Sequence, residues 1–216
     1  MHSFLVSIVV NFSIAIPALL AVIRFKHIHR SFYPLIFLIW LGLANESLSI
    51  VMVFSTGSNT ANANIFVLAE FLLLLLQFYS WNTGSSKKYI LFASLGVAVW
   101  ITDNLVLNTL SQNNSLFRAL YSFAILLFSI EQIGKIVAWE KERLLKNAIF
   151  IFCITFLFYY GCKAFVEMMN AFHIGLDREI LWNFWIVMYF VNALSNIFYA
   201  IAILCIPTRK EFILRY

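Results

Sequence analysis

The sequence predicts an all-α protein: a polytopic seven-transmembrane-helix bundle with its N-terminus outside and its C-terminus cytoplasmic. Composition is the first of three observations behind this. Of 216 residues, 62% are hydrophobic and only 12% are charged, about half the charged share of an ordinary soluble domain. With so few charges, and a mean hydropathy of +0.88, a water-exposed surface could not be covered. The second observation is seven continuous apolar stretches, each near the roughly 20 residues that a bilayer-crossing helix needs. The third is that basic residues fall in every second break between them.

The stretches run over about 4–24, 31–55, 65–82, 89–110, 117–138, 147–170 and 181–206, in one domain spanning the whole chain. They are unbroken rather than alternating, so a lipid-facing barrel is excluded and helices must satisfy the backbone. The first begins Met1-His2-Ser3, without a basic leader or a small-residue cleavage site. It therefore reads as a retained helix rather than a signal peptide, with a kink expected at Pro17. The breaks after the first, third and fifth stretches hold Arg24, Lys26 and Arg30; Lys87 and Lys88; Lys141, Arg143 and Lys146. With Arg209, Lys210 and Arg215 in the tail, eleven of the 15 basic residues lie on one side, against Arg118 and Arg178 on the other. That side is cytoplasmic by the positive-inside rule, and a multi-pass place in the cell (inner) membrane is expected. Topology thus accounts for the net charge of +5, and no nucleic-acid partner is called for. No soluble domain is expected beyond the short tail after Pro207.

Trp81, Trp139, Trp182 and Trp185 fall near the expected interfaces, as an aromatic belt requires. Cys153, Cys162 and Cys205 show no metal or redox spacing and read as small packing residues. His2, His27, His29 and His173 all lie at ends or in breaks, so clustered imidazole chemistry inside the membrane is not expected, and no metal site is assigned. A retinal cofactor would need a lysine in the last span, and residues 181–206 contain none; no other cofactor is implied. Gly-x-Ser-x-Gly, phosphate-cradling and HExxH signatures are absent.

The informative residues are those that lipid should expel. Glu46, Glu70, Asp103, Glu131, Lys135, Lys163 and Glu167 all fall inside the stretches, each at an insertion cost of about 2.5 kcal/mol or more near the centre. Glu131 and Lys135 read as an i,i+4 pair near the cytoplasmic face, and Lys163 and Glu167 could pair in the same way. A rise of about 1.5 Å per residue puts Glu46, Glu70, Asp103 and Lys163 in one layer, roughly 4–7 Å outward of the midplane. Polar stripes at helical spacing surround that layer. They comprise Gly42, Glu46 and Ser49; Glu70 and Gln77; Trp100, Asp103, Asn104 and Asn108; Thr155, Tyr159, Lys163, Glu167 and Asn170; and Trp185, Tyr189, Asn192, Asn196 and Tyr199. The plain alternative for such residues is interhelical glue, at about 0.6 kcal/mol per hydrogen bond. Three acids beside one base cannot all be ionised cheaply, however, so a proton, a cation or an amine-bearing ligand is expected among them. The ligand- or proton-binding residues expected are Glu46, Glu70, Trp100, Asp103, Asn104, Tyr159, Lys163, Tyr189, Asn192 and Asn196.

Asn64-Ile65-Phe66 with Ala69-Glu70-Phe71-Leu72-Leu73, Tyr159-Tyr160-Gly161, and Asn192 through Asn196-Ile197 to Tyr199-Ala200-Ile201-Ala202 together resemble an uncharacterised seven-span family widespread in Bacteroidota. The resemblance covers nearly the whole chain. It implies the fold and membrane residence, and no particular activity. Members often carry His near the position of Tyr189, where this chain departs from the pattern.

Three functions fit. Ranked first is a receptor-like or sensory bundle. Its polar pocket opens outward to a small polar or cationic ligand, and it passes its state to a cytoplasmic signalling partner, with the lipid bilayer as its other partner. Second is a small-solute or proton-coupled transporter using the same acids as a relay, with Asn192 and Asn196 as midplane ligands. Third is an intramembrane lipid-acting enzyme using paired carboxylates.

Overall fold

The computed structural model describes residues 10–82, 86–139, 144–172 and 178–207. His2, Lys141, Arg143, His173, Arg209, Lys210 and Arg215 lie outside the described residues, as do the start of the first stretch and the side chains of Trp139, Arg178 and Trp182. Among the described residues seven α-helices of full extent follow one another: α1 (Ala15–Arg24), α2 (Tyr33–Thr56), α3 (Thr60–Trp81), α4 (Lys87–Ile101), α5 (Ser115–Trp139), α6 (Ala148–Ala171) and α7 (Arg178–Cys205). No strand occurs among the described residues.

Six segments are long and apolar enough to cross a membrane: Arg30–Thr56, Thr60–Trp81, Lys87–Leu107, Ser115–Ala138, Ala148–Ala171 and Asn183–Cys205. They coincide with the second to seventh expected stretches to within a few residues. The chain is a multi-pass membrane protein. Its outward faces carry Ile23, Phe54 and Val106 at 74%, 75% and 71% exposure, an arrangement only a lipid surround makes favourable. The described part of the first stretch is α1, with 10 residues behind a 3-10 turn at Phe12–Ile14. Pro17 lies in the first turn of α1, so its missing N–H falls where the backbone passes from 3-10 to α geometry.

The helix ends follow their sequences. Asn147 caps α6, its Oδ1 accepting from the Ile149 and Phe150 amides at 2.9 and 3.2 Å. Gly57 closes α2 at φ 78°, a left-handed conformation that favours glycine. Beyond Ile101, α4 widens into a π-helical turn over Thr102–Leu107 before Asn108 becomes extended.

In cross-section, α1, α2, α3, α5, α6 and α7 form a closed ring, with the most extensive packing between α5 and α6. The fourth helix lies outside that ring, against α3 and α5. Gly96 lets it approach, since a Cβ there would collide with the buried Phe71 ring. One end of the bundle holds the basic helix termini. There the Arg24 guanidinium donates to the carbonyls of Ile203, at 2.7 Å, and of Leu204 and Ile206, closing the C-terminus of α7. At the same end, Glu131 accepts from Lys88 at 2.7 Å and from Lys135 at 2.6 Å, so the expected i,i+4 pair forms and gains a second lysine. Inward of these charges the core is aromatic. Phe78 stacks on Phe128 at 5.5 Å and meets Phe156 edge-on at 5.9 Å; Trp81 turns into the bundle against Phe32 and Phe152. Trp81 is thus part of the packing as well as near an interface.

Gln77 is fully buried and caps α2. Its Oε1 accepts the Leu35 amide at 2.8 Å, and its Nε2 donates to the Ser31 carbonyl at 2.6 Å. Gln77→Leu would leave both backbone groups without partners in an apolar surround. We expect a loss of about 1–3 kcal/mol, read as a lower melting temperature of the purified protein in lipid nanodiscs; an unchanged melting temperature would count against the cap.

Candidate functional site

Three buried constellations occupy the half of the bundle away from the basic end. The first is centred on Glu70 of α3, which is 7% exposed. Its Oε1 accepts from the Tyr160 hydroxyl at 2.8 Å, and its Oε2 accepts from the Tyr121 hydroxyl and from Lys163 Nζ, the latter at 3.1 Å. Lys163 also donates to the Tyr121 hydroxyl. Three rings surround this ammonium, with centroids at 5.0 Å (Tyr121), 5.4 Å (Tyr159) and 5.6 Å (Tyr160). One turn of α6 supplies Tyr159, Tyr160 and Lys163, so helical spacing alone gathers the lysine and two of its rings. A carboxylate with three donors facing an ammonium held by π-faces is a satisfied pair.

The second constellation is built on Arg118 of α5. Its Nη2 donates to Asn64 Oδ1 at 2.8 Å, and its Nη1 lies 3.6 Å from Glu167 Oε1. Asn64 in turn donates to the carbonyls of Leu110 and Gln112 at 2.9 and 2.8 Å, and its own carbonyl receives Trp100 Nε1 at 2.8 Å. Arg118, counted in the sequence among residues of the outer rim, is therefore a buried residue at 9% exposure. Lys163 and Glu167 do not pair with each other: each takes a partner from another helix.

Asp103 and Asn104 belong to the third constellation, which organises the π-helical turn. Asp103 accepts the Phe117 amide at 2.8 Å and Asn108 Nδ2 at 3.1 Å, so it caps the start of α5. Asn104 accepts from Asn114 at 2.9 Å and donates to the Trp100 carbonyl at 3.0 Å. Trp100, Asp103 and Asn104 thus hold the α4–α5 connection, and their hydrogen bonds do not reach Glu70 or Lys163. Sequence spacing could place Asp103 at the right height, but not on which side of α4 its partners would stand.

A cavity of about 110 Å³ lies inside the ring. It is walled by Asn11 and Ile14 ahead of α1; Leu35, Leu38, Ile39, Gly42 and Glu46 of α2; Phe66 and Glu70 of α3; Phe156, Tyr159 and Tyr160 of α6; and Asn192, Asn196 and Tyr199 of α7. The cavity gathers Glu46, Glu70, Tyr159, Asn192 and Asn196 from the residues expected at the site. Lys163 stands behind Glu70, while Tyr189 is half-buried outside the lining. Asn11 lines the cavity together with Glu46, and Asn196 Nδ2 donates to Ser13 at 2.8 Å. Among the described residues, Glu70 pairs with Lys163, Glu167 with Arg118 and Glu131 with two lysines, whereas no basic side chain lies within ion-pair distance of Glu46.

Tyr121, Tyr160, Asn64 and Asn11 were missed as site residues. Aromatic and amide side chains are frequent here, with 18% of the chain aromatic, and nothing in spacing separates those that meet a charge from those that fill the core. No group of three or more His, Cys, Asp or Glu side chains able to hold a metal ion occurs among the described residues. No protein-family model, curated protein or solved structure matches the chain.

Proposed function

We propose that this chain is a seven-span protein of the inner membrane, with its basic end in the cytoplasm, and that it works as a receptor-like sensor of a small cationic ligand. The ligand enters the cavity from the outer side. The observation that carries this reading is the isolation of Glu46. Among the described residues it is the acid on the cavity wall without a cationic partner, set among Asn11, Asn192 and Asn196, while Glu70 on the same wall is neutralised by Lys163. Glu46 is half-buried, and a carboxylate held within a membrane bundle calls for a counter-charge or a proton, which a guest among the polar side chains around it could supply.

The inner end of the cavity favours a sensor over a conduit. Toward the basic end it meets Leu35, Phe156 and Tyr199, with Tyr199 against Phe152 and Phe156 at 5.9 and 6.0 Å. Beyond that, Gln77, whose amide a polar path would need, is already committed to the α2 backbone. Signalling to a cytoplasmic partner would then pass through the helices, α7 above all, which lines the cavity and ends under the Arg24 clasp.

The test uses the full chain in nanodiscs and a thermal-shift screen of small organic and inorganic cations. We expect at least one to raise the melting temperature, and Glu46→Gln to abolish that shift while leaving the unliganded protein folded. No cation-dependent shift, or one that survives Glu46→Gln, would refute the reading. Uptake of the same cation into proteoliposomes, lost in Glu46→Gln, would favour the transporter instead.

A further inference from the structure

We infer that the ligand of the Glu46 cavity is a short primary alkylammonium with a tail of two to four carbons. This rests on the reading above and deepens it by naming the ligand class. The cavity walls are graded along the membrane normal. Because α2 runs outward from the basic end, Leu35, Leu38, Ile39, Gly42 and Glu46 line it in ascending order at helical spacing. In the same sense as α2, α6 places Tyr159 and Tyr160 above Phe156, and in the opposite sense α7 contributes Asn192 above Asn196 and Tyr199. The outer part therefore carries the carboxylate, the amides and the phenols of α6 beside the Phe66 ring, and the inner part is mostly hydrocarbon from Leu35, Leu38, Ile39 and Phe156, with the Tyr199 ring among them. A guest that matches this has a charged head and an apolar tail.

The head is an ammonium by its fit to the donors and acceptors. Asn196 spends an N–H on Ser13, so its amide oxygen, with the Glu46 carboxylate and the amide oxygens of Asn11 and Asn192 on the same walls, can receive three N–H donors. Aromatic faces complete the wall, as they suit an organic cation. The protein already binds an ammonium in this manner next door. Lys163 sits between the Glu70 carboxylate and three tyrosine rings, two of which, Tyr159 and Tyr160, also face the cavity. A hard metal cation would want about six oxygen ligands in place of these rings. A guanidinium would leave the hydrocarbon floor uncovered and its planar fork of five donors short of acceptors.

Size sets the tail. An engineered cavity of about 150 Å³ takes benzene. By proportion, the 110 Å³ here accepts roughly four to five non-hydrogen atoms. Gly42 is the gauge: a Cβ at this position would lie 2.6 Å from Cδ1 of Ile14. Ile14 is also a cavity wall, and its flexible end would have to move.

The deciding experiment is titration calorimetry on the full chain in nanodiscs with ethyl-, propyl- and butylammonium, tetramethylammonium, guanidinium, sodium and the neutral isostere 1-propanol. Propylammonium is expected to bind most tightly and 1-propanol not to bind. Glu46→Gln should weaken propylammonium by roughly tenfold or more, as loss of a charge-assisted contact would. Gly42→Ala keeps the charge and should weaken butylammonium several-fold more than ethylammonium. Tighter binding of sodium, guanidinium or tetramethylammonium that still depends on Glu46 would overturn the alkylammonium assignment and leave the cationic site standing. So would a Gly42→Ala protein with an unaltered tail-length profile. No cation binding at all in the folded parent would overturn both.

Discussion

Lys163→Met should destabilise the protein by about 3–5 kcal/mol, the usual consequence of removing one partner from a buried ion pair. Methionine nearly matches the volume and keeps the stem within its ring of tyrosines, so packing changes little. What changes is Glu70. It keeps the hydroxyls of Tyr121 and Tyr160 but loses its counter-charge at a site 7% exposed to the surround. In a chain of this length such a loss lowers the melting temperature by on the order of 10 °C. The double substitution Lys163→Met with Glu70→Gln removes the stranded charge and should recover most of the loss, because neutral amide and phenol groups can still bond. A single variant as stable as the parent, or a double variant no better than the single, would show that the pair is not a unit.

Arg118→Met should cost a similar 3–5 kcal/mol, for a different combination of reasons. The guanidinium reaches two partners with two nitrogens, Asn64 at 2.8 Å and Glu167 at 3.6 Å, and Glu167 is 2% exposed. Its loss strands a carboxylate and also loosens Asn64, which holds Leu110, Gln112 and Trp100. The damage should therefore extend to the α4–α5 connection. Hydrogen exchange of amides over 102–117 is expected to quicken in the variant while that of α2 stays as it was. Arg118→Lys should restore only part of the stability, since one ammonium cannot present the two divergent N–H groups of the planar fork. Full recovery by lysine would mean that charge alone matters there.

The two substitutions separate roles that look alike from afar. Both remove a buried cation on the seam of α3, α5 and α6, yet only the Lys163 constellation shares walls with the cavity. Ligand binding should therefore respond to Lys163→Met and be largely indifferent to Arg118→Met wherever the latter remains folded.

By itself, the sequence determined the class of fold and the position of the spans. Hydrophobicity in lipid is a one-dimensional constraint: a helix needs a fixed length of apolar residues whatever it packs against, so six segments fall where the apolar runs do. It also determined that Glu46, Glu70, Tyr159, Asn192 and Asn196 would face inward, because lipid expels polar groups and helical spacing puts each on one stripe. Only the tertiary structure decided which polar groups meet. Lys163 has Glu167 one turn away on its own helix, yet it chooses Glu70, 93 residues distant. Asp103 has the height of the polar layer, yet it caps α5. Pairing depends on the rotation of each helix about its axis and on which neighbour it faces. Those are set by the summed packing of bulky side chains such as Phe71, Phe78 and Tyr121, of which no one position in the chain carries a record.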